Sequence, residues 1–187
     1  MCQPLKTFFK INCDKSDKYL GEAVKNGNVA VRIETKYKQE KTQMPIDELI
    51  AEINKNGNYK SYHEVTTNQV NKMYFDIEHE TYRISHWKIV ELVQQVIQNN
   101  QARIFIADGC KSTKMSYHIV VEILTSKEVN KHIAKLLNAK IGKHPDSTGK
   151  LKWVVDTAVY SQNHTMRLPN CVKISERQIE NRKLKML

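Results

Sequence analysis

The stretch 64–80, EVTTNQVNKMYFDIEHE, decides how this chain is read. Side chains alternate across a strand, so Tyr74, Asp76 and Glu78 share one face while Met73, Phe75 and Ile77 share the other. Two carboxylates therefore leave an otherwise apolar strand on the same side. Like charges this close repel unless a cation lies between them, and hard oxygen donors at this spacing suit Mg²⁺ or Mn²⁺. On an exposed strand face the same pair would be merely solvated.

Beyond it, residues 85–101 set Trp87, Val90, Leu92, Val93, Val96 and Ile97 at helical spacing. RIFIADGC (103–110) and KMSYHIVVEIL (114–124) are β-rich runs around a polar GCKST turn and predict a hairpin. A helix over about 126–140 follows, with Ser126 as its N-cap. The loop HPDSTGKL (144–151) leads into KWVVDTAVYS (152–161) as a strand, and HTMRLPNCVKI (164–174) continues as strand or extended loop. The order βαββαβ is that of an open sheet with helices on one face, the ferredoxin-like or RRM-like plan, and the fold class is α+β.

Toward the N-terminus the chain is lysine-rich. Strand-like KTFFKIN (6–12) and NVAVRIE (28–34) and a helix over 45–54 describe a small αβ module, with Asn-Gly turns at 26–27 and 56–57. The expected division is an N-terminal αβ module over 1–60, an RRM-like module over 61–175 and a basic tail over 176–187 with helical character, together one catalytic unit.

Two more groups of residues carry chemistry. Alternation in KMSYHIVV aligns Lys114, Ser116 and His118, a cation, a hydroxyl and an imidazole that can each donate to phosphate oxygen. An amphipathic edge strand with polar residues outward has the same pattern. Asp156 follows Trp153, Val154 and Val155, where an unpaired charge is costly. Its partner is either a metal shared with Asp76 and Glu78 or a buried salt bridge to Lys or Arg. Asn163, His164 and Arg167 follow where they can grip phosphate, Arg167 with a planar fork. His63, His79, His86, His132 and His144 read as structural or surface residues, His79 because it alternates away from Asp76 and Glu78.

The chain has 187 residues, 40% hydrophobic and 27% charged, enough for a real core. Its 30 Lys and Arg against 20 Asp and Glu leave a net charge of +10, which implies either an anionic partner, most commonly nucleic acid, or simply a soluble basic surface. Cys2, Cys13, Cys110 and Cys171 form no CxxC pair, so neither a zinc site nor a disulfide framework is expected. No run approaches the roughly 20 apolar residues of a membrane span, and the start lacks a signal peptide. An intracellular protein, nuclear or cytoplasmic, is expected.

Taken in order, a strand with DxE, a hairpin strand with SxH, and an apolar strand ending in Asp followed by YSxNHxxR resemble the archaeo-eukaryotic primase superfamily, most closely its primase-polymerase and large-DNA-virus members. The resemblance covers roughly residues 62–169. It implies a catalytic core with an N-terminal αβ module packed on an RRM-like sheet and the active site in the cleft between them. It implies Asp76, Glu78 and Asp156 as ligands of two Mg²⁺ or Mn²⁺ ions, and Lys114, Ser116, His118, Asn163, His164 and Arg167 as contacts to an incoming NTP or dNTP. His164 stands where such sequences usually have Arg, so that contact is expected to be weaker or pH-dependent. The implied activity is template-directed nucleotidyl transfer on single-stranded or primed DNA, with a helicase or zinc-binding segment of a longer chain as a further partner. A metal-dependent nuclease and a non-catalytic nucleic-acid-binding module are the rival classes.

Overall fold

The computed structural model describes residues 16–17, 22–23, 28–55, 59–66, 70–161, 164–175, 178–183 and 185–187. The expected strand at 6–12, both Asn-Gly turns, Cys2, Cys13 and Asn163 lie outside the described residues. The first elements are a short antiparallel pair, β1 (Ser16–Asp17) and β2 (Glu22–Ala23). Then follow β3 (Asn28–Thr35), β4 (Gln39–Pro45), α1 (Ile46–Lys55) and β5 (Lys60–Val65). The second half of the chain contains β6 (Asn71–His79), α2 (His86–Ile97), β7 (Ile104–Asp108), β8 (Met115–Thr125) and α3 (Lys127–Ile141). The remainder is β9 (Lys143–Pro145), β10 (Leu151–Trp153), β11 (Val155–Asp156), a 3₁₀ turn at Ala158–Tyr160, β12 (Thr165–Arg167), β13 (Val172–Ser175), β14 (Gln178–Lys183) and β15 (Lys185–Met186).

Two antiparallel sheets organise these elements. The smaller runs β12-β5-β3-β4. Helix α1, whose apolar residues recur at helical spacing, buries Leu49, Ile50 and Ile53 with Val29, Val31, Tyr62 and Leu168. The larger runs β11-β6-β8-β7-β15, so the strands of the βαββαβ segment lie in spatial order fourth, first, third, second. Alternation gives its strands one apolar face: Phe75 pairs with Ile119 and Ile77 with Tyr117 across β6 and β8. Ile89 and Val93 of α2 and Ala134 and Leu137 of α3 join that core. Each fully buried aliphatic or aromatic side chain here contributes roughly 1.5–3 kcal/mol.

Ser126 caps α3 as expected, accepting from the Val129 N–H, and Ser85 caps α2 in the same way, accepting from the Lys88 N–H. Replacing Ser126 by Ala should cost about 1 kcal/mol, read as a lower thermal midpoint with unchanged α3 contacts in the NMR spectrum. At the other end of α3, Gly142 takes φ 87° and its N–H closes on the Asn138 carbonyl at 2.8 Å, a backbone turn that side chains disfavour.

Three segments differ from expectation. The run 152–161 is not one strand: β10 pairs with β9, the chain bends at Val154, β11 joins β6 for two residues, and a 3₁₀ turn follows. The stretch 64–80 is not one strand: its start belongs to β5 in the smaller sheet and its end to β6 in the larger, and β12 returns to pair with β5. The tail forms strands β14 and β15 rather than a helix, β15 hydrogen-bonding with β7. In each case pairing with a distant strand overrides the local pattern. Among the described residues no helix is long and apolar enough to cross a membrane.

Candidate functional site

The polar face of β6 lies at the middle of the larger sheet, and its neighbours come from both sides. Asp76 pairs in register with Asp156 of β11 and with His118 of β8, and Glu78 pairs with Ser116. Directly opposed residues stand roughly 4.5–5.5 Å apart at Cβ, so the two aspartates and the histidine form one row across three strands. Three motifs separated in sequence are thus brought together by antiparallel register alone.

The edge that carries Asp156 is held by side chains. Because β11 is only two residues long, Asn138 of α3 completes its outer edge. Its amide N–H donates to the Val155 carbonyl and its amide oxygen accepts from the Val155 N–H, both at 2.9 Å. Where β11 ends, the Tyr160 hydroxyl donates to the Tyr74 carbonyl at 2.6 Å, and the Tyr74 hydroxyl donates to the Val159 carbonyl at 3.3 Å. Burial pushes the Tyr74 phenol up to about 12, so it stays a neutral donor. Before the strand, the Glu78 N–H donates to the Val154 carbonyl at 2.9 Å. Asp156 itself accepts from the Ala158 N–H at 2.8 Å and, among the described residues, makes no ion pair. Among the described residues the buried salt bridge, the alternative to a metal, is not found.

Asp76 bears most of the electrostatic strain. Burial, reinforced by the charges of Glu78 and Asp156, pushes its carboxyl up to about 7 against the pull of Lys114 and Arg167. Its Oδ1 is buried without a hydrogen-bond partner; the nearest cation-capable group is His118 Nε2 at 3.9 Å. A buried carboxylate oxygen lacking a partner beside two further carboxylates is a donor set in search of a cation, and its oxygen chemistry fits a divalent hard ion. Among the described residues no three acidic, His or Cys side chains already close around one point. Part of the reason is Lys114, whose Nζ sits 2.6 Å from Glu78 Oε2.

On the His118 side, a cleft of about 310 Å³ opens between the two sheets. Asp76, Ser116 and His118 form one wall, Arg32 and His63 the other, with Arg167 between. The Arg167 carbonyl accepts from His118 Nδ1 at 3.2 Å, which fixes the ring proton there and turns Nε2 toward Asp76. Arg167 is 7% exposed and donates to the Cys171 carbonyl at 3.4 Å, so its guanidinium is anchored at the back of the cleft. Lys114 lies apart from this row, lining a second pocket of about 270 Å³ on the Asp156 side. His164 is half-buried and its carbonyl accepts from both the N–H and the hydroxyl of Thr66; burial pushes its imidazole below the ordinary value against the pull of Asp156.

Sequence reasoning set His63 aside, yet it lines the cleft. It accepts from Arg32 at Nδ1 (3.1 Å), and its Nε2 lies 3.2 Å from Glu34 and 3.0 Å from Ser61 Oγ. Burial keeps it neutral against the pull of Glu34, which suits one ring nitrogen accepting and the other donating. Alternation in NVAVRIE puts Arg32 and Glu34 on one face, and that polar pair in an apolar strand was the available signal. His79 is structural as expected, its Nδ1 accepting from the N–H groups of Thr81 and Tyr82.

No family model and no curated protein matches the sequence. Among solved structures the chain is similar to the polymerase domain of Ligase D from Mycobacterium tuberculosis, determined in complex with DNA. The TM-score is 0.50 at 12% identity, over 86% of this chain and 73% of that one. The likeness is one of fold.

Proposed function

We propose that this chain is the catalytic core of a primase-polymerase of the archaeo-eukaryotic primase type, adding NTP or dNTP to a strand directed by a nucleic-acid template. The observation that carries the reading is the register that sets Asp156 beside Asp76 with His118 on the other side. Further support comes from the fold likeness to a polymerase domain and from the +10 net charge, which favours a polyanionic partner. The strand order fourth, first, third, second supports the RRM-like description of the larger sheet, with the smaller sheet as the module facing it.

In this reading Asp76, Glu78 and Asp156 hold Mg²⁺ or Mn²⁺. Such ions, when bound, supply the charge that acidifies a 3′-hydroxyl and steadies the transferred phosphoryl group and pyrophosphate. Ser116 and Arg167 orient the triphosphate in the cleft through hydroxyl and guanidinium donors, and His118, its Nδ1 proton held by the Arg167 carbonyl, donates from Nε2 only as the imidazolium. His164, neutral at pH 7, contributes no charge to that grip. The 3′-oxygen bonds to the α-phosphorus as the bond to the bridging oxygen breaks, pyrophosphate departs and the hydroxyl proton is lost. Most of the rate enhancement then comes from alignment and charge placement.

The test is incubation with single-stranded template, labelled nucleotides and Mn²⁺ or Mg²⁺, with and without primer. Nucleotide-dependent elongation is expected, abolished by Asp76→Ala with Glu78→Ala while gel-shift binding of template persists. Strand degradation without nucleotides would instead identify a nuclease, and elongation by the double variant would end the carboxylate assignment.

A further inference from the structure

The pocket on the Asp156 side is not lined by Ser116, His118 or Arg167. We infer that it receives the 3′-terminal nucleotide of the strand being extended, with that base stacked on the indole of Trp153. This rests on the nucleotidyl-transfer reading above and names the partner of the same site.

Position is the first ground. In phosphoryl transfer the attacking oxygen and the leaving group lie roughly in line on opposite sides of phosphorus. The row of carboxylates separates two cavities: the cleft with Ser116 and His118, and the 270 Å³ pocket lined by Glu78, Asp156 and Trp153. With the triphosphate tail in the former, the hydroxyl must enter from the latter.

Rigidity is the second. Trp153 is the last residue of β10, and the carbonyl of the next residue, Val154, accepts from the Glu78 N–H at 2.9 Å. Two residues further on, Asp156 is in register with Asp76. The main chain that carries the indole is therefore fixed relative to the carboxylates by backbone pairing on both sides of Val154, and a platform that must set a hydroxyl to within about an ångström needs such a base.

Chemistry is the third. Trp153 is 50% exposed although burying an indole is favourable, and unlike the more exposed Trp87 it lines a pocket beside the carboxylates. It sits on a hairpin that also bears Lys143, Lys150 and Lys152, with Lys143 Nζ 4.8 Å from its ring centroid. An exposed aromatic ring amid lysines is the composition that stacks a base and neutralises its phosphate without reading sequence. Lys152 is partly committed, at 2.9 Å from Asp146, which leaves the backbone contact chiefly to Lys143 and Lys150.

The chain contains two tryptophans, so Trp87→Phe makes Trp153 the only indole. In that background, a primed template with a recessed 3′ end should quench the fluorescence at concentrations where the single-stranded template alone leaves it unchanged. Trp153→Ala should raise KM for the primed template roughly ten-fold or more while KM for the nucleotide stays within two-fold, and Trp153→Phe should restore most of the loss. Elongation by the unsubstituted protein without such quenching, or a Trp153→Ala variant whose effect falls on nucleotide KM, overturns this inference and leaves the polymerase reading intact. Absence of elongation by the unsubstituted protein overturns both, and is seen before any substitution is made.

Discussion

Asp76→Asn should make the protein more stable in EDTA at pH 8 while reducing nucleotide addition roughly a thousand-fold or more. Stability and activity move apart because the same atom serves one and burdens the other. Burial and the charges of Glu78 and Asp156 raise the folded-state pKa of Asp76 to about 7, above its ordinary 3.8. A carboxyl whose folded pKa lies above its unfolded one favours folding fully only below the unfolded value, and that contribution is lost as pH rises through the folded value. The penalty at pH 8 is therefore largest, and the neutral amide removes about 2 kcal/mol of it after allowing for its own unmet hydrogen bonds, worth roughly 4–8 °C. The difference between variant and parent should shrink from pH 7 toward pH 4 and stay constant above pH 8. Adding Mn²⁺ should raise the melting temperature of the parent and leave Asp76→Asn almost unmoved, since only the parent gains a paired charge. Scanning calorimetry across pH, with and without Mn²⁺, reads all of this; a variant that melts below its parent at pH 8 in EDTA would contradict the burial of an unpaired carboxylate.

The second large effect belongs to a residue that touches no substrate. Asn138→Leu keeps the branching of the side chain, with bulkier methyl groups, but leaves both the N–H and the carbonyl of Val155 unpaired in a position 1% exposed. Each lost partner costs about 1–3 kcal/mol, so the variant should lose about 3 kcal/mol overall. Because β11 is two residues long, it should also lose its fixed register, and Asp156 its alignment with Asp76. A displacement on the order of 1 Å can cost about a hundred-fold in turnover. Circular-dichroism melts and single-turnover kinetics at a temperature where the variant stays folded separate the two losses. Full turnover in a destabilised but folded variant would show that Asp156 is positioned without the amide clip.

What could be read from the sequence followed the range of the forces involved. Ser85 and Ser126 announce helix starts because capping is a contact within three residues, and the alternation of MYFDIEH places Asp76 and Glu78 on one face because strand geometry is local. The break at Val154 was not legible, since nothing in KWVVDTAVYS says that β10 and β11 answer to different partners. Neither was the passage of β12 into the smaller sheet, nor the pairing of β15 with β7. The carboxylates of the candidate site were visible as residue types in suggestive strands. Their frame was hidden: Asn138 is an ordinary polar helix residue in the sequence until β11 makes it interior, and His63 reads as a structural or surface residue until pairing with distant strands sets it in the cleft wall.

The strand that bears Asp76 and Glu78 takes one flank from residues 115–125 and the other from residues 155–156. Such a pairing closes a long loop, and loop-rich β topologies assemble more slowly than helical ones of equal size. During synthesis, β6 leaves the ribosome with one ladder of N–H and carbonyl groups uncovered until Val155 arrives. In that interval it is an open template for another chain, so newly made protein should be most prone to associate at high concentration and when elongation between β6 and β11 is slow.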